Sequence, residues 1–138
     1  MQIFTKLIKS ILVVLILSSS VTAQENSSQM SSTEKEEIAF LLFDNYETLD
    51  VFGPAEIFGR LTDLYTLKFY SLEGGIVTNR HQVPIMTEKL ADINKKPFAF
   101  LIPGGLGTRI EVNNDKLITS IKDISLSSTY VMTVCTGS

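Results

Sequence analysis

The chain contains no tryptophan, one cysteine and one histidine. A single cysteine excludes an internal disulfide. One cysteine, one histidine and no close pair of carboxylates do not make a metal-ligand set, so no metal and no cofactor is expected. No polybasic run is present, which argues against nucleic acid as a partner. No internal repeat is present either. The apolar run near the amino terminus, ILVVLIL, falls short of the about 20 apolar residues that a membrane span requires.

What is present is ordinary for a globular protein: 138 residues, enough for about one domain, with 44% apolar residues. The first residues do not belong to that domain. MQIFTKLIKS carries Lys6 and Lys9 and no acid, ILVVLIL follows, and SSSVTAQ places Val21 and Ala23 at the −3 and −1 positions of a small-residue cleavage site. This pattern predicts an export signal over residues 1–23, cleaved after Ala23. A retained membrane anchor is the alternative. No cysteine lies near the site, which argues against a lipid anchor. Cleavage removes two lysines and no acid, so the formal charge moves from −3 to −5. An acidic mature protein is a poor partner for nucleic acid or for anionic membrane. An exported protein meets an oxidising compartment, where an odd thiol is intermolecular, buried or kept for its reactivity.

Residues 24–35, QENSSQMSSTEK, are polar and serine-rich and read as a disordered spacer. The domain then runs over residues 36–138. EIAFLLF (37–43) is a continuous apolar run, as in a strand covered on both faces. LDVFGPAEIFGRL (49–61) places Val51, Ile57, Phe58 and Leu61 at helical spacing, with Gly53-Pro54 suited to a first turn. YTLKFYSL (65–72) alternates as a strand does. Residues 76–90 read as short strands bent at Asn79 and Pro84, in the manner of a hairpin. FAFLI (98–102) is a second buried strand, and PGGLGTR (103–109) is a glycine-rich loop. NDKLITSIKDIS (114–125) sets Leu117, Ile118, Ile121 and Ile124 on one helical face behind an N-cap at Asn113 or Asn114. TYVMTV (129–134) reads as a third buried strand that runs into Cys135.

Strands alternating with helices predict βαβ units and a mostly parallel sheet with helices on both faces. In such folds ligands sit outside the carboxyl ends of the strands. Asp50, the PGGLG loop and Cys135 all fall at such ends. A nucleophile between a strand and a helix, flanked by small residues, is a nucleophile elbow. V-C-T-G-S fits the strand side and the small neighbours but lacks the glycine two positions before the nucleophile. A buried structural thiol is the competing reading. PGGLG lacks both the Lys-Ser/Thr of a phosphate loop and the spacing of a dinucleotide site. It reads better as backbone N–H groups approaching the thiol. Asp50 is either a helix N-cap or a carboxylate beside the thiol. Glu56 reads as a solvated helix residue and His81 as a surface histidine.

Three blocks, IAFLLFDNYETLDVFGPAEIFGRL, FAFLIPGGLGTR and YVMTVCTGS, resemble the DJ-1/PfpI (ThiJ/PfpI) superfamily over residues 37–138. The resemblance implies a flavodoxin-like three-layer α/β/α sandwich of the class I glutamine amidotransferase-like type. Its nearest branch is the isocyanide hydratase-like one, together with the amidase-like domain of AraC-type regulators; LDVFGPAEIF and VCTG carry that likeness. The implied roles are Cys135 as nucleophile, Asp50 as the acid facing it, and the backbone N–H groups of Gly105 and Thr136 near the reacting centre. In an isocyanide hydratase the thiolate attacks the isocyanide carbon and the aspartate positions a water, which gives an N-substituted formamide. Thr136 stands where the protease-like and glyoxalase-like branches carry histidine, which argues against those activities. The family continues beyond its cysteine, so the expectation is an amino-terminal part of a longer protein with a C-terminally truncated fold. The implied partner is a small-molecule substrate, with no membrane partner after signal cleavage, and a homodimer is left open. A ligand-sensing or redox-sensing domain is the alternative to an enzyme. Its regulator form is disfavoured, because an exported protein cannot reach chromosomal DNA.

Overall fold

Six strands and three helices build residues 34–93 and 96–138, the residues described in the computed structural model. The segment read as an export signal, residues 1–23, and spacer residues 24–33 lie outside the described residues.

The most apolar stretch becomes the centre. Strand β1, Glu36–Leu41, buries Ile38, Ala39, Phe40 and Leu41 in succession. Four consecutive buried residues require cover on both faces. β2, Tyr65–Ser71, pairs parallel to β1 on one side, and β5, Ala99–Ile102, pairs parallel to it on the other. Phe40 and Phe69 are register partners and stack at 5.1 Å. β3, Gly75–Thr78, and β4, Pro84–Lys89, form the antiparallel hairpin that the bends at Asn79 and Pro84 predict. β6, Tyr130–Thr133, pairs parallel to β5, and the full order is β3-β4-β2-β1-β5-β6.

Helix α1, Thr48–Gly59, links β1 to β2; the short α2, Thr108–Glu111, and α3, Asp115–Ser127, link β5 to β6. The first crossover moves one way across the sheet and the second moves the other way. Right-handed crossovers of opposite direction place α1 and α3 on opposite faces. The direction changes between β1 and β5. Their carboxyl ends are therefore the topological switch point, where this architecture binds ligands.

Three expectations need correction. Val51 is buried as expected, but its main partner on α1 is Ala55, with Phe52 and Phe58 partly buried; Ile57 and Leu61 are exposed. Ile57 is six residues from Val51, about 240° round a helix of 3.6 residues per turn, and Leu61 lies beyond the helix end. Pro54 is inside α1 and not in its first turn, because the helix starts at Thr48. Its ring removes the N–H that would bond the Asp50 carbonyl. β6 is not buried: it is the sheet edge, with Tyr130 and Val131 half exposed. On α3 the cap is Asn114, whose side chain accepts from the Leu117 N–H at 3.2 Å.

Gly53, in the middle of α1, has nothing within 4 Å of the position a Cβ would take. Glycine there costs about 1 kcal/mol relative to alanine, and no contact among the described residues requires it.

Buried Tyr70, near the carboxyl end of β2, donates its hydroxyl to the carboxylate of Glu37, near the amino end of β1, at 3.0 Å. Burial first, then this hydrogen bond, pushes the phenol well above its ordinary value of 10.0. Burial also raises Tyr46. A group whose folded pKa is raised stabilises the fold below its unfolded pKa and loses that contribution as pH rises through the folded value. Stability is therefore expected to fall above about pH 10. Thermal melts between pH 9 and pH 12, as rough bounds around that value, should show the loss, and Tyr70→Phe should flatten it. An equal loss in Tyr70→Phe would place the titration elsewhere.

Candidate functional site

The loop after β1 organises the site. Asp44 fixes it to the hairpin, with its Oδ1 accepting from the Thr78 N–H at 2.9 Å. Asn45 takes φ 61°, a left-handed conformation that asparagine tolerates. Tyr46 then bridges Asn79 on one side and Gly105 on the other. It is fully buried, and its hydroxyl has no hydrogen-bond partner among the described residues. Glu47 donates its N–H to the Gly104 carbonyl at 2.8 Å. The loop, the hairpin tip and the glycine-rich loop thus form one hydrogen-bonded strip across the switch point.

Asp50 sits in the first turn of α1, and its Oδ2 accepts the Gly104 N–H at 3.0 Å. The N-cap position belongs to Glu47, which makes no side-chain cap bond. The carboxylate therefore reaches across to the glycine loop and does not cap its own helix. Gly104 is in turn pressed against the end of β6. A Cβ there would lie 2.6 Å from the Thr136 nitrogen and 2.8 Å from the Cys135 Cβ. Asp50, Gly104 and Cys135 form one contiguous contact.

Cys135 follows Val134, whose N–H still bonds the Ile102 carbonyl at 3.1 Å. The chain then turns at once: Cys135 has φ 55°, and Cys135–Gly137 is a single 3₁₀ turn. A non-glycine residue in that region costs about 1–2 kcal/mol. Such strain persists only where the surrounding structure holds it. Cys135 is exposed among the described residues.

Gly105 and Thr136 also meet. The Gly105 N–H donates to the Thr136 hydroxyl at 3.1 Å, and the Thr108 hydroxyl donates to the Gly105 carbonyl at 2.7 Å. In this arrangement the Gly105 N–H is held by a side chain. An apolar groove of about 320 Å³, lined by Leu41, Phe43, Ile102, Leu117 and Ile121, runs up to Thr136.

Glu56 pairs with Arg60 at 2.8 Å on the exposed face of α1, as read from the sequence. His81 braces the hairpin against α1, its Nδ1 lying 2.9 Å from the Thr48 hydroxyl. Asn79, which is buried, donates to the same hydroxyl at 2.9 Å and accepts from the N–H groups of His81 and Val83. Sequence reasoning did not single out Tyr46, Gly104 or Thr108 individually, and it read Asn79 only as a bend. Their roles come from contacts across long stretches of chain, which leave no local signal.

Fold and site define a class: a doubly wound α/β protein with a strained cysteine at the carboxyl edge of its parallel sheet. The sequence model of the DJ-1/PfpI family matches residues 36–138, and the chain belongs to that family. No curated protein matches it. A ThiJ/PfpI family protein from Pseudomonas syringae is similar in structure, with TM-score 0.70, 20% identity, and coverage of 88% of this chain and 51% of that one. Drosophila melanogaster DJ-1beta is similar with TM-score 0.62, 18% identity, and coverage of 73% and 55%. A ThiJ/PfpI domain protein from Brachyspira murdochii is similar with TM-score 0.63, 15% identity, and coverage of 75% and 61%. These likenesses show the fold. The chain spans between about half and two thirds of the length of these solved relatives.

Proposed function

We propose that the whole protein containing this domain is a cysteine-dependent enzyme that adds water to a small electrophilic carbon, as an isocyanide hydratase does. The observation that carries the reading is the exposed Cys135 held at φ 55° against Gly104, the residue whose N–H binds the Asp50 carboxylate. The Cys135 thiol adds to the isocyanide carbon, with its sulfur attacking as thiolate and its proton going to that same carbon, to give a thioimidate. Asp50 orients a water and accepts its proton as the water adds to that carbon. Asp50 passes that proton to the substrate nitrogen, the sulfur leaves as the hydroxyl proton returns to it, and an N-substituted formamide remains, so the sum is substrate plus one water. Nucleophilic catalysis splits one difficult addition into two easier ones, and the carboxylate serves as general base. The backbone N–H of Thr136, and that of Gly105 once the Thr136 hydroxyl releases it, are the donors nearest the reacting centre. Lys6, Lys9 and the ILVVLIL run support export.

Asp50→Asn tests the division of labour. Asparagine keeps an oxygen that can accept the Gly104 N–H, so the melting temperature should change little. It cannot accept a proton, so turnover of an isocyanide should fall by about 10²–10⁴. Turnover equal to that of the parent would remove the base from the mechanism.

A further inference from the structure

We propose that Thr48, held by the buried Asn79, is a positioning residue for Asp50: the tip of the β3–β4 hairpin fixes where α1 begins and so where the Asp50 carboxylate sits. The catalytic half of this proposal rests on the reading of Asp50 as the base. The start of α1 is poorly supported from within. Glu47 at the N-cap makes no side-chain cap bond. Pro54, four residues after Asp50, has no N–H to bond the Asp50 carbonyl. The turn that carries Asp50 therefore lacks both a cap and that backbone bond, yet a general base must be placed within hydrogen-bond reach of its proton.

The support comes from outside the helix. The buried Asn79 side chain has one orientation: its Oδ1 accepts from the His81 and Val83 N–H groups, both at 2.9 Å, so Nδ2 is the atom that faces Thr48. Nδ2 donates to the Thr48 hydroxyl at 2.9 Å. That leaves the hydroxyl proton for Nδ1 of a neutral His81, also at 2.9 Å. Thr48 is the first residue of α1, and Asp50 lies two residues on, about 200° round the helix. The turn is gripped on one side by the hairpin, through Thr48, and on the other by the glycine loop, through Asp50 and Gly104. The Arg80–Glu47 ion pair at 3.0 Å joins the same tip to the N-cap, but it is partly exposed and adds little. The Asn79 bond differs, because a buried amide donor that loses its acceptor cannot turn to bulk water. A shift of the tip therefore carries Thr48, and with it Asp50, relative to Gly104.

Amide hydrogen exchange and steady-state kinetics on the whole protein test this, with Thr48→Val and Thr48→Ser. Valine keeps the shape and removes the hydroxyl; serine keeps the hydroxyl. Thr48 is half-buried, and circular dichroism verifies that both variants fold. In Thr48→Val, exchange at the Gly104 N–H should rise about tenfold, with the amides of β1 and β5 unchanged. With an isocyanide, kcat should fall about tenfold while KM holds, because Thr48 acts through Asp50 and not on the substrate. Thr48→Ser should restore both. Exchange decides the positioning whatever the substrate. Unchanged Gly104 exchange in Thr48→Val, an equal rise throughout β1 and β5, or a serine variant as impaired as the valine one would each overturn the proposal. Raised Gly104 exchange beside an unchanged kcat would uphold the positioning and count against Asp50 as the base.

Discussion

A Cys135→Ala variant of the whole protein is expected to lose turnover by at least about 10³-fold, because the sulfur that forms the thioimidate is gone. Steady-state formamide production from an isocyanide measures it. The same position carries a second, independent signature. Cys135 is held at φ 55°, where any side chain bearing a Cβ is strained. Alanine keeps that strain and glycine releases it. Cys135→Gly should therefore be more stable than Cys135→Ala by about 1 kcal/mol, even after its larger unfolded-state entropy is set against it. Both variants lack the thiol, so their difference reports the backbone alone. A glycine variant less stable than the alanine variant would show that the turn is relaxed, and the observation behind the proposed function would fall with it.

A large loss of stability is expected from Gly105→Ala. Gly105 has φ 127°, and a Cβ there would lie 2.5 Å from the Glu47 nitrogen, 2.6 Å from the Asn45 carbonyl oxygen and 2.8 Å from the Tyr46 carbonyl carbon. All three are backbone atoms of the strip that joins the β1 loop to the glycine loop, so none can rotate away. Overpacking and backbone strain together amount to about 3 kcal/mol. For a domain of this size that is a drop of roughly 15 °C in Tm. Gly75→Ala is the control. Gly75 also has a positive φ, 85°, but its Cβ position is open, so the conformational cost of about 1 kcal/mol stands alone. Equal losses at the two positions would mean that the strip gives way and does not position the glycine loop.

The sheet was legible because its signal is local. A run such as Ile38–Leu41 can be buried residue after residue only in a strand covered on both faces, and the bends at Asn79 and Pro84 announce a hairpin. The phase of α1 was misread for a physical reason. Ala55 is small enough to pass for a spacer, yet it is the residue that packs beside Val51, while the larger Ile57 points outward. β6 looked buried because its composition is that of a core strand, and burial depends on neighbours that composition does not name. The site divides in the same way. The positions of Asp50, the glycine loop and Cys135 at strand ends followed from order along the chain. Their contacts did not: the Asp50–Gly104 hydrogen bond spans 54 residues, and cysteine is not a residue type that announces a left-handed turn.

The most direct test of the account is the intact mass of the whole protein, acid-quenched during turnover of an isocyanide and then mapped by peptide digestion. The account predicts a thioimidate adduct, one substrate molecule in mass, on the peptide containing Cys135, which forms and decays with turnover and is absent from Cys135→Ala. Formamide production with no adduct, or an adduct on another residue, would contradict it.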